Sequence, residues 1–343
     1  MHPGERMYGS HTGLIRSAGT AAVCAALLLT GCSGGDGGAS EGAPAIGRQP
    51  GEKDPYWVNP QGSAARQAAA YEQDGDREKA RLIRRIAEQP AGEWIGPDDP
   101  EGEVRRVTGA ATRADRHALL VLYNIPHRDC GQFSRGGAAD ADAYRAWVDG
   151  VAKGIGDRRA TVILEPDALL HLVDGCTPQE HHDERYDLLR SAVERLKRQP
   201  ATRVYLDAGN AAWQSPDALH EPLRRAGIEG ADGFSLNVSN FLTTAVSTEF
   251  GKKLSAKVGG KPFVIDTSRN GNGPYEGGDP AENWCNPPGR ALGEPPTTRT
   301  GEAKVDAYLW IKRPGESDGD CKGGPKAGDW WPEYALGLAR ATG

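Results

Sequence analysis

Acidic residues stand just past apolar, β-rich runs at four places in the chain. Asp129 follows LLVLYNIPHR, Asp167 follows TVILEP, Asp207 closes RVYLD, and Glu316 and Asp318 follow AYLWIKRPG. Such a run reads as a buried strand, and the C-terminal ends of parallel strands are where α/β folds collect their reacting groups. Four such ends converging would gather several carboxylates in one cleft. Glycosidic cleavage uses that equipment: one carboxyl still protonated near neutral pH donates to the leaving oxygen, and a second group deprotonates or orients water. Asp167 is the candidate acid, because a neighbouring carboxylate such as Asp129 raises a carboxyl pKa by like-charge repulsion. Asp318, on a Gly-rich loop, could face the cleft from another side. A single Asp at a strand end more often caps a helix or anchors a loop; the weight lies on the four together.

The elements that must position these groups follow from periodicity. Strand candidates are Glu93–Ile95, Ala118–Asn124, Thr161–Glu165, Arg203–Asp207, Gly233–Asn237, Phe263–Asp266 and Ala307–Ile311. Helical patterns separate them. Tyr144, Trp147, Val148, Val151 and Ile155 recur at helical spacing, as do Tyr186, Leu189, Val193 and Leu196. Ser215 before Pro216 is a cap followed by an N1 proline. Alternating strands and helices imply an α/β class with a parallel sheet and right-handed crossovers. Seven strand candidates suggest a closed or nearly closed barrel of TIM-like type.

The N-terminus reads as a targeting segment. Arg6 and Arg16 precede an apolar run from Ala18 to Leu29, too short for an ordinary membrane span. It ends in Leu29-Thr30-Gly31-Cys32, which resembles a bacterial lipobox, with Cys32 as the lipidation site. Residues 1–31 are then a lipoprotein signal peptide, 32–52 the lipidated cysteine and a flexible Gly/Ala/Ser/Pro-rich tether, and 53–343 a single catalytic domain of barrel size. The expected location is extracellular, at the outer face of the cell membrane through the lipid, or otherwise secreted.

Losing Glu5, Arg6 and Arg16 with the leader takes the net charge from −6 to −7. An acidic balance without pattern argues against nucleic acid and anionic lipid as partners and is compatible with a neutral polysaccharide. After Cys24 in the leader and Cys32, four cysteines remain: Cys130, Cys176, Cys285 and Cys321. Export favours two disulfides in one of three pairings. Neither C-x-x-C nor H-E-x-x-H occurs, so no metal and no cofactor is expected. His181-His182, in a charged helix start, reads as a solvated face.

The segments from Tyr56-Trp57-Val58-Asn59-Pro60 through Tyr123-Asn124-Ile125-Pro126-His127-Arg128-Asp129-Cys130, Glu165-Pro166-Asp167 and Asp207-Ala208-Gly209 resemble those of glycoside hydrolase family 6, the inverting cellulases. Ile265-Asp266-Thr267-Ser268-Arg269-Asn270-Gly271-Asn272-Gly273 and Leu309 through Gly319 continue the match in family order, over essentially the whole domain. The resemblance implies a distorted seven-stranded parallel β/α barrel and endo-β-1,4-glucanase activity with inversion. Asp167 would be the acid, Asp129 its tuning carboxylate, Asp318 the candidate base or partner of a water relay, and Tyr123 a residue pressing on the sugar at the cleavage subsite. Lys312 and Glu316 would bind sugar hydroxyls, and Asp207 and Asn237 join the expected substrate contacts. Cys130 would pair with Cys176, and Cys285 with Cys321.

Three positions depart from the family pattern: His127 where a small residue is common, Arg135 where serine is, and Asn210 where histidine is. Flat rings stack on pyranose faces, and family position favours Trp94, Trp213 and Trp284 as platforms. Trp147, on an apolar helix face, reads as core, and Asn270-Gly271-Asn272-Gly273 as a sugar-cleft loop. Short loops around the Asp129 and Asp318 motifs imply an open cleft and endo action. With no cellulose-binding module visible, soluble or amorphous β-1,4-glucan is the expected partner of a monomer. Mixed-linkage glucan hydrolysis and non-catalytic glucan binding are the alternatives.

Overall fold

A computed structural model describes residues 55–129 and 133–342. Helices α1 (Ser63–Gln73) and α2 (Arg77–Ala87) lead into β1 (Glu93–Trp94), α3 (Pro100–Arg113), β2 (Ala118–Leu122), α4 (Ala141–Ile155) and β3 (Ala160–Leu164). Next come α5 (Leu170–Val173), α6 (His182–Leu196), β4 (Thr202–Asp207), α7 (Pro216–Arg225), β5 (Gly233–Leu236) and α8 (Thr244–Lys257). The chain closes with β6 (Phe263–Asp266), β7 (Val305–Leu309) and α9 (Pro332–Ala341). Helix starts are fixed by side chains that accept orphan backbone N–H groups. Asp99 caps α3 through Gly102, Asp140 caps α4 through Ala143, and Ser215 caps α7 through Ala218, ahead of Pro216.

The seven strands pair in chain order, all parallel. Strands β2 and β3 are buried at every residue, which is why they read as continuous apolar runs. Their side chains still alternate. Leu120, Leu122, Val162, Leu164, Leu206 and Phe234 join the layer packed under the helices, whereas Leu119, Val121, Ile163, Tyr205, Val264 and Leu309 pack on one another inside the barrel. Each such side chain contributes roughly 1.5–3 kcal/mol by leaving water. Trp147 lies in the outer layer, as its helical spacing predicts.

No ladder joins β1 to β7 among the described residues. The edges meet instead through the Gly92 N–H, which donates to Trp310 O at 2.8 Å, and the Trp94 indole N–H, which donates to Ile311 O at 3.0 Å. A Cβ on Gly92 would stand 2.4 Å from Ile311 O and 2.7 Å from Val121 Cγ2, so only glycine fits this seam. The barrel is distorted there.

Five strands end earlier than the sequence expectation: β1, β3 and β5 by one residue, and β2 and β7 by two. The second strand was expected to reach Asn124 and the seventh Ile311, but the ladders stop at Leu122 and Leu309. Beyond them a carboxylate from the next strand over takes the backbone. Glu165 accepts from Asn124 N and Ile125 N at 3.0 Å. Asp207 Oδ2 accepts from Asp167 N at 2.9 Å and Gly209 N at 3.1 Å. Asp266 accepts from Ile311 N, Lys312 N and Ser239 N at 2.9–3.3 Å. Three buried acids thus root the loops that follow β2, β3, β5 and β7.

Candidate active site

Those loops line one cleft at the C-terminal mouth of the barrel, about 1310 Å³ including its open side. It brings together Asp129, Asp167 and Asp318 with Tyr123, Lys312 and Glu316. Trp94, Trp213 and Trp284 line the same cleft. Trp94 and Tyr123 meet edge to face with ring centroids 5.7 Å apart.

The two carboxyls on the β2 and β3 loops differ from the third. Burial pushes the Asp167 carboxyl well above the usual range, and Asp207 and Asp129 add like-charge repulsion. Asp129 is also raised by burial, against the Ser134 N–H that donates to it at 2.5 Å and the charge of Arg128. Both residues sit at positive φ, 66° and 56°, a conformation side chains other than glycine resist. Asp318 goes the other way. Burial alone would raise it, but Arg269 Nη1 at 2.8 Å and Lys312 Nζ at 3.5 Å outweigh that and hold it below the ordinary carboxylate range. Asn286 completes the cradle, its backbone N–H donating to Oδ2 and its Oδ1 accepting the Asp318 N–H. One carboxyl shifted toward its protonated form and another toward its ionised form thus line the same cleft.

Two expected sugar contacts stand elsewhere. Asn237 is fully buried with its amide spent on Leu242 O, Asp266 O and Leu242 N. Asp207 is buried behind Asp167, both its oxygens accepting internal hydrogen bonds. Asp207 closes β4 and Asn237 directly follows β5; both saturate backbone beneath the cleft, and neither is among the residues lining it. The Asn270 loop likewise stays behind the wall: Asn270 donates to Leu242 O and Thr244 Oγ1, and the segment serves the cleft through Arg269. Of the departures, Arg135 lines the cleft, His127 stacks on His181 with ring centroids 4.2 Å apart, and Asn210 is buried with its Oδ1 accepting from Ala212 N.

Sequence reasoning passed over Arg128, Phe133, Arg269 and Asn286. Arg128 stacks over the Tyr123 ring at 4.7 Å, and Phe133 meets Trp284 at 5.9 Å. Arg269 carried a signal, a cation three residues past an apolar strand. Asn286 carried none, since it finds Asp318 only through the fold. Cys285 is bonded to Cys321, pinning the Asp318 loop beside Trp284. Cys176 is disulfide-bonded as well, and its expected partner Cys130 lies outside the described residues. So do Cys32 and all of the proposed leader and tether. Among the described residues no cluster suited to a metal ion occurs, and no helix is long and apolar enough to cross a membrane.

A parallel barrel whose mouth gathers carboxylates and aromatic rings in one cleft fits the class of carbohydrate hydrolases. The sequence model described as Glycosyl hydrolases family 6 matches residues 51–342, and the chain belongs to that family. It is 46% identical to Endoglucanase A from Cellulomonas fimi over 291 residues, which covers 83% of this chain and 61% of that protein. To Endoglucanase 1 from Streptomyces halstedii it is 44% identical over 293 residues, 82% of this chain and 87% of that one. The solved structure of the endoglucanase Cel6 from Mycobacterium tuberculosis, in complex with methyl-cellobiosyl-4-deoxy-4-thio-β-D-cellobioside, superposes with a TM-score of 0.79 at 46% identity. That match covers 84% of this chain and 97% of the other. The chain thus spans about three fifths of the length of several curated relatives it matches, Endoglucanase A from Cellulomonas fimi among them.

Proposed function

We propose that this protein is an endo-β-1,4-glucanase that cleaves internal bonds of β-glucan with inversion. The observation that carries the reading is one cleft lined by Asp167, Asp129 and Asp318 together with three tryptophans. Asp167, protonated by burial and by its anionic neighbours, donates to the leaving oxygen. Asp129 maintains that protonation. Asp318 is anionic but already paired with Arg269 and Lys312, which makes it a weak proton acceptor. Its part is to orient the attacking water and stabilise the positive charge that develops on the sugar. Tyr123 presses on the ring at the cleavage subsite, and Lys312 and Glu316 bind hydroxyls beside it. Trp94, Trp213 and Trp284 are the stacking platforms. Endo action is supported by the open side of the cleft and by relatives that are named endoglucanases. Lipidation at Cys32 with an extracellular, monomeric enzyme is part of the same proposal, as is the Cys130–Cys176 pairing.

Proton NMR of cellohexaose with the purified protein tests the reading. New α-anomer before mutarotation, with products from internal cleavage, is the expected result. β-Anomer would remove inversion, and binding without cleavage of cellohexaose or mixed-linkage glucan would leave a glucan-binding protein. Asp167→Asn should lower kcat on cellohexaose by roughly 10²–10⁴ with binding retained; wild-type turnover in that variant would remove Asp167 as the acid.

A further inference from the structure

Arg185 projects from the buried face of α6 and is 2% exposed. Among the described residues it forms no ion pair with a carboxylate. Its guanidinium is spent on loops: Nη2 donates to Pro126 O at 2.9 Å and His127 O at 3.0 Å, and Nη1 to Thr177 Oγ1 at 2.6 Å and Ala168 O at 3.4 Å. Pro126 and His127 lie just before Asp129, and Ala168 just after Asp167. One planar fork therefore grips both carboxylate loops from below.

The backbone it grips is the strained part of the site. His127 and Asp129 on one loop and Glu165 and Asp167 on the other all have φ between 51° and 66°. Residues with side chains stay in that region only where their surroundings over-determine it. Glu165 fixes the loop roots through Asn124 N and Ile125 N but touches neither reacting carboxyl. A buried, always-charged donor facing carbonyls of two loops is costly to desolvate, and the geometry gives that cost a purpose.

We propose that Arg185 is a positioning residue that locks the Asp129 and Asp167 loops at a fixed separation. The proposal rests on the glucanase reading. Asp129, Asp207 and Asp174 act on Asp167, while His171 and Arg128 act on Asp129; Arg185 itself feels chiefly Glu165 among anions. If the loops part, Asp129 recedes and the Asp167 carboxyl loses repulsion, so its pKa falls.

Arg185→Lys keeps the charge and loses the fork. On cellohexaose its kcat should fall roughly tenfold to a hundredfold, with KM little changed. The alkaline limb of kcat/KM should move down by roughly one pH unit. A dinitrophenyl β-cellotrioside, whose phenolate leaves without protonation, should lose much less rate. Equal losses on both substrates with an unmoved limb would overturn the proposal, because a merely structural role predicts that pattern. If Arg185→Lys does not fold, Thr177→Val decides, since it removes one partner of the fork and no loop carbonyl. It should displace the limb in the same direction by less, and an unmoved limb is again fatal. Wild-type inactivity on cellohexaose would instead sink the glucanase reading, a result distinct from an active wild type with an unmoved variant.

Discussion

The backbone N–H of Asp167 donates to Asp207 Oδ2 at 2.9 Å, so the candidate acid is anchored by a carboxylate that also crowds it. Burial raises Asp207 itself to about 6, against the N–H groups of Asp167 and Gly209. The two acids are thus held in contact, and whichever ionises first discourages the other.

Asp207→Asn keeps an oxygen for both N–H groups and an amide for Ser235 Oγ while deleting the charge. Without that anion the Asp167 carboxylate is easier to form and its pKa falls. The alkaline limb of kcat/KM should therefore shift to lower pH by roughly one unit, with KM nearly constant. A pH–rate profile on cellohexaose checks this, and an upward shift would contradict it.

Glu165 links the site to stability. Burial raises its carboxyl to about 7, against the N–H groups of Asn124 and Ile125. The folded state then holds this proton more tightly than the unfolded chain does. Its contribution is fully present below the ordinary glutamate value and is lost as pH rises through about 7. Thermal melts should show stability falling over that window by on the order of 3 kcal/mol. Glu165→Gln should flatten the slope; an unchanged slope would assign the proton elsewhere.

Gly92→Ala should open the barrel seam. The new methyl meets Ile311 O at 2.4 Å, a backbone atom that cannot swing aside. A destabilisation of about 1–3 kcal/mol is expected, with a raised KM because Trp94 and Lys312 flank the seam. Gly337→Ala, in α9 with nothing within 4 Å, is the matched control and should be neutral or stabilising. Calorimetry of the pair separates seam from propensity.

Much of the barrel was legible because its signals are local. Continuous apolar runs marked β2 and β3, and Ser215-Pro216 announced α7. That Asp129, Asp167 and Asp318 share one cleft was legible because strand ends and family motifs coincide there. Asp207 and Asn237 do not line the cleft, because a strand-end position does not say whether a side chain points to the mouth or under a neighbouring loop. Arg185 lies three and seven residues before Leu188 and Ala192 in the way of a core position, a clue visible only once the buried face of α6 is known. Asn286 depends on tertiary closure and left no trace in the chain.

The acids beneath the mouth work like courses of masonry. Glu165 bears the preceding loop, Asp207 bears the one that carries Asp167, and Asp266 bears a loop on either side. Each base is laid by a neighbour rather than by its own strand, so no loop can be transplanted whole without the strand beside it. The outer tips carry no such dependence. Length and side chains can change there while the floor stands, and the same foundation can serve clefts of different depth.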